Sequence, residues 1–258
     1  MSDLGPSLAD IEALDLAYAR FNAARSLRPN DPELTVTPIG ALRVIHDPSR
    51  PDDETYNRVL GLDAGEVDRL DEALALFGET PPQVDVPVDR LDPALCAALL
   101  ERGLSPVRAL VWMWARPDAM RRDPIDGVTT ERIDGQAELL LDLIGRLGKP
   151  VSPEVRGKRA RYFCTDTFRA HVARIDGEIA GWATLWVDGE RAILGNADTF
   201  EAYRRRGVQS ALLRARALDA ASLGLSWVVA DTLPETSSHR NALRAGMRRR
   251  TSVVWWRR

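Results

Sequence analysis

Apolar residues recur at helical spacing over residues 8–25, through Ile11, Leu14, Leu16, Ala17 and Phe21, which predicts an amphipathic helix. A strand pair fits 34–46, a loop rich in Asp and Pro covers 49–54, and a short apolar strand follows over 57–62. Val67, Leu70, Ala73, Leu74 and Phe77 predict one helix over 65–77. Residues 83–88 alternate as a strand, Asp92 followed by Pro93 marks a helix start, and 108–114 reads as another strand. Residues 116–126, dense in proline and charge, read as a linker. The spacing therefore predicts two domains, 1–122 and 123–258.

The second half opens with a strand over 128–133 and a helix over 136–147. Three strands follow at 167–174, 178–187 and 191–200, separated by Asp176-Gly177 and Asp188-Gly189. Asp-Gly is a hairpin signal because both central residues of that turn need positive φ. A helix over 208–223 ended by Gly224, a strand over 225–232, a helix over 235–245 ended by Gly246 and a strand over 251–256 complete the pattern, so the class is mixed α and β. A shift of 143 residues lays Leu100 on Leu243, Gly103 on Gly246, Val111 on Val254 and Trp112 on Trp255, and one of 142 lays Gly65 on Gly207. The order of helices and strands agrees, which points to a tandem repeat. Any helix ending in Gly before an apolar strand would also align in this way.

Composition narrows the function classes. With 258 residues, 45% hydrophobic and 28% charged, the chain is ordinary for a folded globular protein. Its longest apolar run, 109–115, is far short of the roughly 18–20 residues that cross a bilayer. The N-terminus carries acids where a secretory signal carries basic and apolar residues, so a cytoplasmic location is expected. Cys96 and Cys164 are distant in sequence, and His46, His171 and His239 have no ligand spacing, so packed thiols and no metal site are expected. Of the 35 basic residues only Lys149 and Lys158 are lysines. Residues 1–100 hold 19 acids against 8 arginines, and residues 203–258 hold 12 arginines against 3 acids. An anionic ligand therefore belongs at the C-terminal end.

Within that end, Arg204, Arg205 and Arg206 directly precede a helix starting at Gly207. Cations there oppose the helix dipole, costing about 0.3–1 kcal/mol each, so helix stability does not account for them. An anion held by the amides of Gly207, Val208, Gln209 and Ser210 would, with Gly207 letting it approach the backbone. Three solvated arginines in a turn are the plainer alternative.

Here the sequence resembles the GNAT family, the Gcn5-related N-acetyltransferases that use acetyl-coenzyme A. The family signature is Arg or Gln, two residues, Gly, one residue, Gly or Ala; Arg204, Gly207 and Gln209 occupy those positions, and Gln209 departs from the pattern. The resemblance covers 128–258 and continues through Ser238 and Asn241 to Gly246-Met247. It implies an α/β (α+β) fold of two tandem GNAT-like domains, each a mixed, mostly antiparallel sheet flanked by helices, with residues 1–122 degenerate. It further implies that strands 191–200 and 225–232 splay apart around the cofactor, with backbone groups of Asp198, Thr199 and Phe200 pairing with its pantetheine arm.

The chemistry implied is direct attack of a primary amine on the thioester. The tyrosine that serves many members as acid four residues before the Gly is replaced by Ala242, and Ile193 stands where some members carry Glu. Asp231 is the catalytic candidate, with Glu235 and His239 behind it; a strand-end carboxylate is the alternative for Asp231 and a surface helix residue for His239. The first repeat has Asp63, Ala64, Gly65 and Glu66 at its corresponding turn, acids that repel phosphate, so it is expected to bind no coenzyme. Trp112, Trp114, Trp255 and Trp256 fit the core or the seam between repeats better than a substrate pocket. An acyl-coenzyme A binding module without catalysis is the competing function. A nucleic-acid binder fits the arginines alone, yet the chain has no reading motif and a pI near 5.7. The acceptor, a small-molecule or protein amine, and the oligomeric state are left open by the sequence.

Overall fold

A computed structural model describes residues 5–148 and 150–258; the first residues of the acidic N-terminus and Lys149 lie outside them. The chain forms two compact units, one of Pro6–Val111 with Thr251–Arg258, the other built chiefly of Trp112–Arg250. The boundary expected at 122/123 is thus displaced, and the last strand returns to the first unit. The physical reason is strand pairing, which follows hydrogen-bond partners rather than chain order.

The first unit begins with α1 (Leu8–Ala24), whose start is closed by a reciprocal cap: Ser7 Oγ accepts from the Asp10 amide at 3.1 Å and the Asp10 carboxylate accepts from the Ser7 amide at 2.9 Å. Strands β1 (Thr35–Ile39) and β2 (Leu42–His46) form a hairpin, and β3 (Arg58–Leu60) adds antiparallel to β2 and parallel to β4 (Gln83–Pro87). The helix expected over 65–77 divides into a 3-10 segment, Ala64–Arg69, and a short α2 (Leu70–Ala75). The Asp63 carboxylate takes the Gly65 amide at 2.8 Å, which starts the tighter turn. Helix α3 (Pro93–Glu101) starts where expected, with the Asp92 carboxylate accepting from the Leu95 amide at 2.7 Å, and leads to β5 (Ser105–Ala115). Leu42, Val59, Leu70, Val84, Leu99 and Trp256 meet in one core, each large side chain worth about 1.5–3 kcal/mol when buried.

The second unit contains β6 (Thr129–Arg132), α4 (Ala137–Gly145), α5 (Pro153–Arg159), β7 (Phe168–Ile175) and β8 (Glu178–Asp188). Helix α5 has no counterpart in the sequence reading, although Ser152 before Pro153 is a start signal and its hydroxyl accepts from the Val155 amide at 3.3 Å. Strands β7 and β8 are the first two strands of the expected antiparallel meander, and β6 adds antiparallel to β7. Asp176 and Gly177 both have positive φ (52° and 84°), as their turn requires. At the next turn Asp188 instead pairs with Arg191, leaving Gly189 and Glu190 as the loop with positive φ only at Gly189.

The strand expected over 191–200 is broken into β9 (Arg191–Ile193) and β10 (Ala197–Thr199). Then come α6 (Val208–Ser222), β11 (Trp227–Thr232), α7 (Ser237–Arg244) and β12 (Arg248–Arg257). With β5 divided at 111/112, its part from Trp112 on belonging to this unit, the unit's sheet order is β5-β11-β9-β8-β7-β6, with β10 on β8 alone. In the first unit the C-terminal part of β12 pairs antiparallel with β4, from Val253 opposite Pro87 to Arg257 opposite Gln83. Trp112, Trp114 and Trp256 are buried, and Trp255 lies under the guanidinium groups of Arg108 and Arg257. Cys96 and Cys164 are free thiols; burial pushes that of Cys164 up to about 12.

A cut at 122/123 therefore removes a strand from each unit. We expect neither fragment, 1–122 or 123–258, to unfold cooperatively when expressed alone. A fragment 123–258 melting within a few degrees of the full chain would overturn this division.

Candidate functional site

Strands β9 and β11 run parallel for three residue pairs, Trp227 with Arg191 to Val229 with Ile193, and the Leu194 amide makes the last bond, to the Val229 carbonyl at 2.8 Å. Asn196 then takes a positive φ of 32° and the Thr184 amide bonds the Asn196 carbonyl at 3.1 Å, a bulge that turns β10 onto β8 and away from β11. The wedge expected between the strands is present. Antiparallel pairs alternate between bonded and non-bonded, and the Phe200 amide donates to the Ala180 carbonyl at 3.0 Å, so Asp198, two residues back opposite Trp182, also faces β8. The amides of Ala197 and Thr199 face the wedge instead. Phe200 and the Asp198 amide are thus corrected as backbone donors, and Ala197 joins Thr199.

At the mouth of the wedge stands the N-terminus of α6. Gly207, with φ of 83°, precedes it, and no side chain caps it. The first helical bond runs from the Ala211 amide to the Gly207 carbonyl at 3.0 Å, which leaves Val208, Gln209 and Ser210 as the helix's open donors. Helices α1, α3, α5 and α7 are closed by Ser7, Asp92, Ser152 and Thr236, whereas α2 and α4, like α6, have no side-chain cap. Arg205 also has a positive φ, 64°, strain of the kind that gathers at binding loops.

A groove of about 660 Å³ opens there, lined by Asp198, Thr199, Arg204, Arg205, Gly207, Val208, Gln209, Ser210, Ser238 and Asn241 among others. Ten of the residues named from the sequence as cofactor-binding come together in it. Arg206 does not: it reaches Asp176 at 3.6 Å and lies over the Tyr203 ring. Arg240 and Arg244, missed in the sequence reading, line the opposite wall from α7. Their four-residue spacing on one helix face was the available signal. Arg240 donates to the Glu235 carbonyl and Arg244 to the Asn241 side chain, and among the described residues none of these four lining arginines pairs with a carboxylate.

Deeper in the wedge, a second space of about 120 Å³ is lined by Asn196, Arg216, Asp231, Thr232 and Ala242 among others. Ala197, Gln209 and Ser238 line both spaces, which places them side by side. Asp231 is exposed at the end of β11. His239 is half-buried rather than a surface residue, its Nδ1 being 3.1 Å from Thr232 Oγ1. Glu235, with φ of 59°, lies in the turn before α7 and lines neither space.

The corresponding turn of the first unit has its donors engaged already. Asp63 holds the Gly65 amide, and Glu66 pairs with Arg69 at 2.8 Å, a bond that holds the Glu66 carboxyl below the usual range.

No protein-family model matches the chain, and no curated protein matches it. Solved structures do. A GCN5-related N-acetyltransferase from Kribbella flavida superposes with a TM-score of 0.63 at 15% identity over 93% of this chain and 94% of its own. A tandem GNAT protein from the clavulanic acid biosynthesis pathway gives 0.55 at 14% identity over 98% and 97%. A conserved protein of unknown function from Staphylococcus epidermidis gives 0.60 at 11% identity over 88% and 94%. The chain has the fold of the GNAT acetyltransferases across nearly its whole length.

Gly207 tolerates no side chain: an added Cβ would lie 2.5 Å from Ile125 Cγ2, and φ of 83° strains any L residue. We expect Gly207→Ala to lower stability by about 1–3 kcal/mol, a melting shift of several degrees by thermal unfolding. An unchanged melting temperature would contradict the geometry of this turn.

Proposed function

We propose that the chain is an N-acyltransferase that transfers an acetyl group from acetyl-coenzyme A to a primary amine, with its site in the second unit. The observation that carries this reading is an uncapped helix N-terminus flanked by Arg204, Arg205, Arg240 and Arg244, opening into the wedge between β9 and β11. Two kinds of anion donor, backbone amide and guanidinium, converge there, which suits a diphosphate. Bound in this groove, the coenzyme supplies an activated acyl group as its thioester.

The chain's own residues perform the remaining tasks. The Val208, Gln209 and Ser210 amides hold the diphosphate, and the Ala197 and Thr199 backbone holds the pantetheine arm in strand fashion and polarises the carbonyl. Asp231 takes the proton that the acceptor's ammonium must lose before its nitrogen can attack. The first unit binds no coenzyme, because Asp63 occupies the amide a phosphate would need. Its role is structural.

A second reading, an acyl-coenzyme A binding module without turnover, is favoured by Ala242, which is 2% exposed and leaves no tyrosine acid in the wedge. The acceptor is a small-molecule or protein amine; nucleic acid is not expected as a partner. No helix among the described residues is long and apolar enough to cross a membrane.

Thermal unfolding with acetyl-coenzyme A at about 100 times its dissociation constant should stabilise the protein by about 2.7 kcal/mol, a shift of several degrees. The double variant Arg204→Ala, Arg205→Ala should lose the shift and Arg206→Ala should keep it. Absence of any shift in the unaltered protein would refute the coenzyme reading. With a responsive amine, Asp231→Asn should lower kcat about 100-fold or more while the thermal shift persists. Binding without turnover across an amine panel would favour the second reading.

A further inference from the structure

Helix α7 carries Arg240 and Arg244 about one turn apart, and both line the groove. Residues four apart on a helix have Cβ atoms about 5–6 Å from each other, and like charges so placed destabilise the helix. A last-turn position suits Arg244 against the helix dipole, but nothing in the helix calls for Arg240 beside it. Each side chain is oriented by one bond: Arg240 Nη1 donates to the Glu235 carbonyl, and Arg244 Nη1 to Asn241 Oδ1 at 3.0 Å. A guanidinium has five N–H donors, so both keep donors for a ligand.

The first repeat supplies the contrast. The shift that lays Leu100 on Leu243 also lays Ala97 on Arg240 and Glu101 on Arg244, so α3 has no positive charge at either position. The pair is therefore confined to the repeat whose helix start is open.

Charge balance shows what the pair is for. Among the described residues the groove is lined by four arginines and one carboxylate, Asp198, a balance of 4 − 1 = +3. The open start of α6 adds about half a charge. Asp231 lines the adjacent space and Glu235 neither, and His239 turns to Thr232. A diphosphate diester carries one negative charge on each phosphorus, and Arg204, Arg205 and the α6 amides already meet it. The two arginines of α7 are left over.

We propose that Arg240 and Arg244 form a second phosphate subsite that takes a phosphate monoester, the 3′-phosphate on the ribose of coenzyme A. The proposal deepens the coenzyme reading of this groove and rests on it. A monoester offers three acceptor oxygens and about 1.5–2 negative charges near neutral pH, as a phosphorylated side chain does. Two neighbouring guanidinium groups answer it with charge-assisted hydrogen bonds. The pair thereby selects coenzyme A over dephospho-coenzyme A, which keeps the diphosphate, the pantetheine arm and the thiol and lacks only this group.

The test is isothermal titration calorimetry of the full-length protein with coenzyme A and with dephospho-coenzyme A in one buffer. Coenzyme A should bind about 10- to 100-fold more tightly. The double variant Arg240→Ala, Arg244→Ala should bring the two affinities to within about threefold of each other. Arg205→Ala, before α6, should weaken both ligands and keep the preference. Equal binding of the two ligands by the unaltered protein overturns the subsite and leaves the coenzyme reading standing. A preference that survives in the double variant overturns it too, as does a preference lost in Arg205→Ala alone, which would place the monoester beside α6. If neither ligand binds the unaltered protein, the coenzyme reading itself is refuted and the subsite with it.

Discussion

The second unit depends on two parallel strands that stop exchanging hydrogen bonds. Up to the Leu194 amide and the Val229 carbonyl, β9 and β11 are ordinary neighbours; beyond, β10 belongs to β8 alone. A backbone edge left open inside a sheet carries an energetic cost, because each unpaired amide or carbonyl forfeits a bond it would make elsewhere. The structure offsets that cost with a bulge at Asn196, with Arg216 on the Gly195 carbonyl, and with Gly181, where a side chain would strike the Asp198 carbonyl at 2.5 Å and so prevent the close approach of β8 to β10. The remaining open groups are those a strand-like ligand would pair.

The helix behind this opening has the same logic. A glycine at a helix start is only about a few tenths of a kcal/mol poorer than a Ser or Asp cap, but it leaves the amides open, and here Gly207 is left-handed with arginines before it. Backbone donors are left open at two neighbouring places, the wedge and the helix start; α2 and α4 also begin without a side-chain cap, so what sets α6 apart is the arginines and the groove beside it. The first unit shows the contrast within the same fold. It repeats the strand, helix, strand order of β4, α3 and β5 against β11, α7 and β12, but there Asp63 takes the Gly65 amide of the corresponding turn.

Much of the secondary structure was legible in the chain because its signals are local. The Asp92-Pro93 start of α3, the Asp176-Gly177 turn, the Gly224 and Gly246 helix ends and the arginine-glycine start of α6 each depend on a few adjacent residues. Three features were not legible. The break at 194–196 is imposed by partners on β8 and α6 that are distant in sequence. Arg206 leaves the groove because Asp176, thirty residues earlier, faces it, and Arg240 and Arg244 enter it because α7 packs beside α6. The short α5 carried a readable Ser152-Pro153 signal that the spacing of apolar residues does not emphasise.

By itself the sequence determined the fold class, the two repeats, the placement of positive charge at the C-terminal end and the position of the arginine-glycine turn, since periodicity, turn chemistry and charge are properties of neighbouring residues. Only the tertiary structure decided which strand completes which unit, which amides face the wedge and which arginine is buried beneath it. Those are outcomes of pairing and packing between segments far apart in the chain, where the choice among equivalent strands and side chains is made by the partner each one meets.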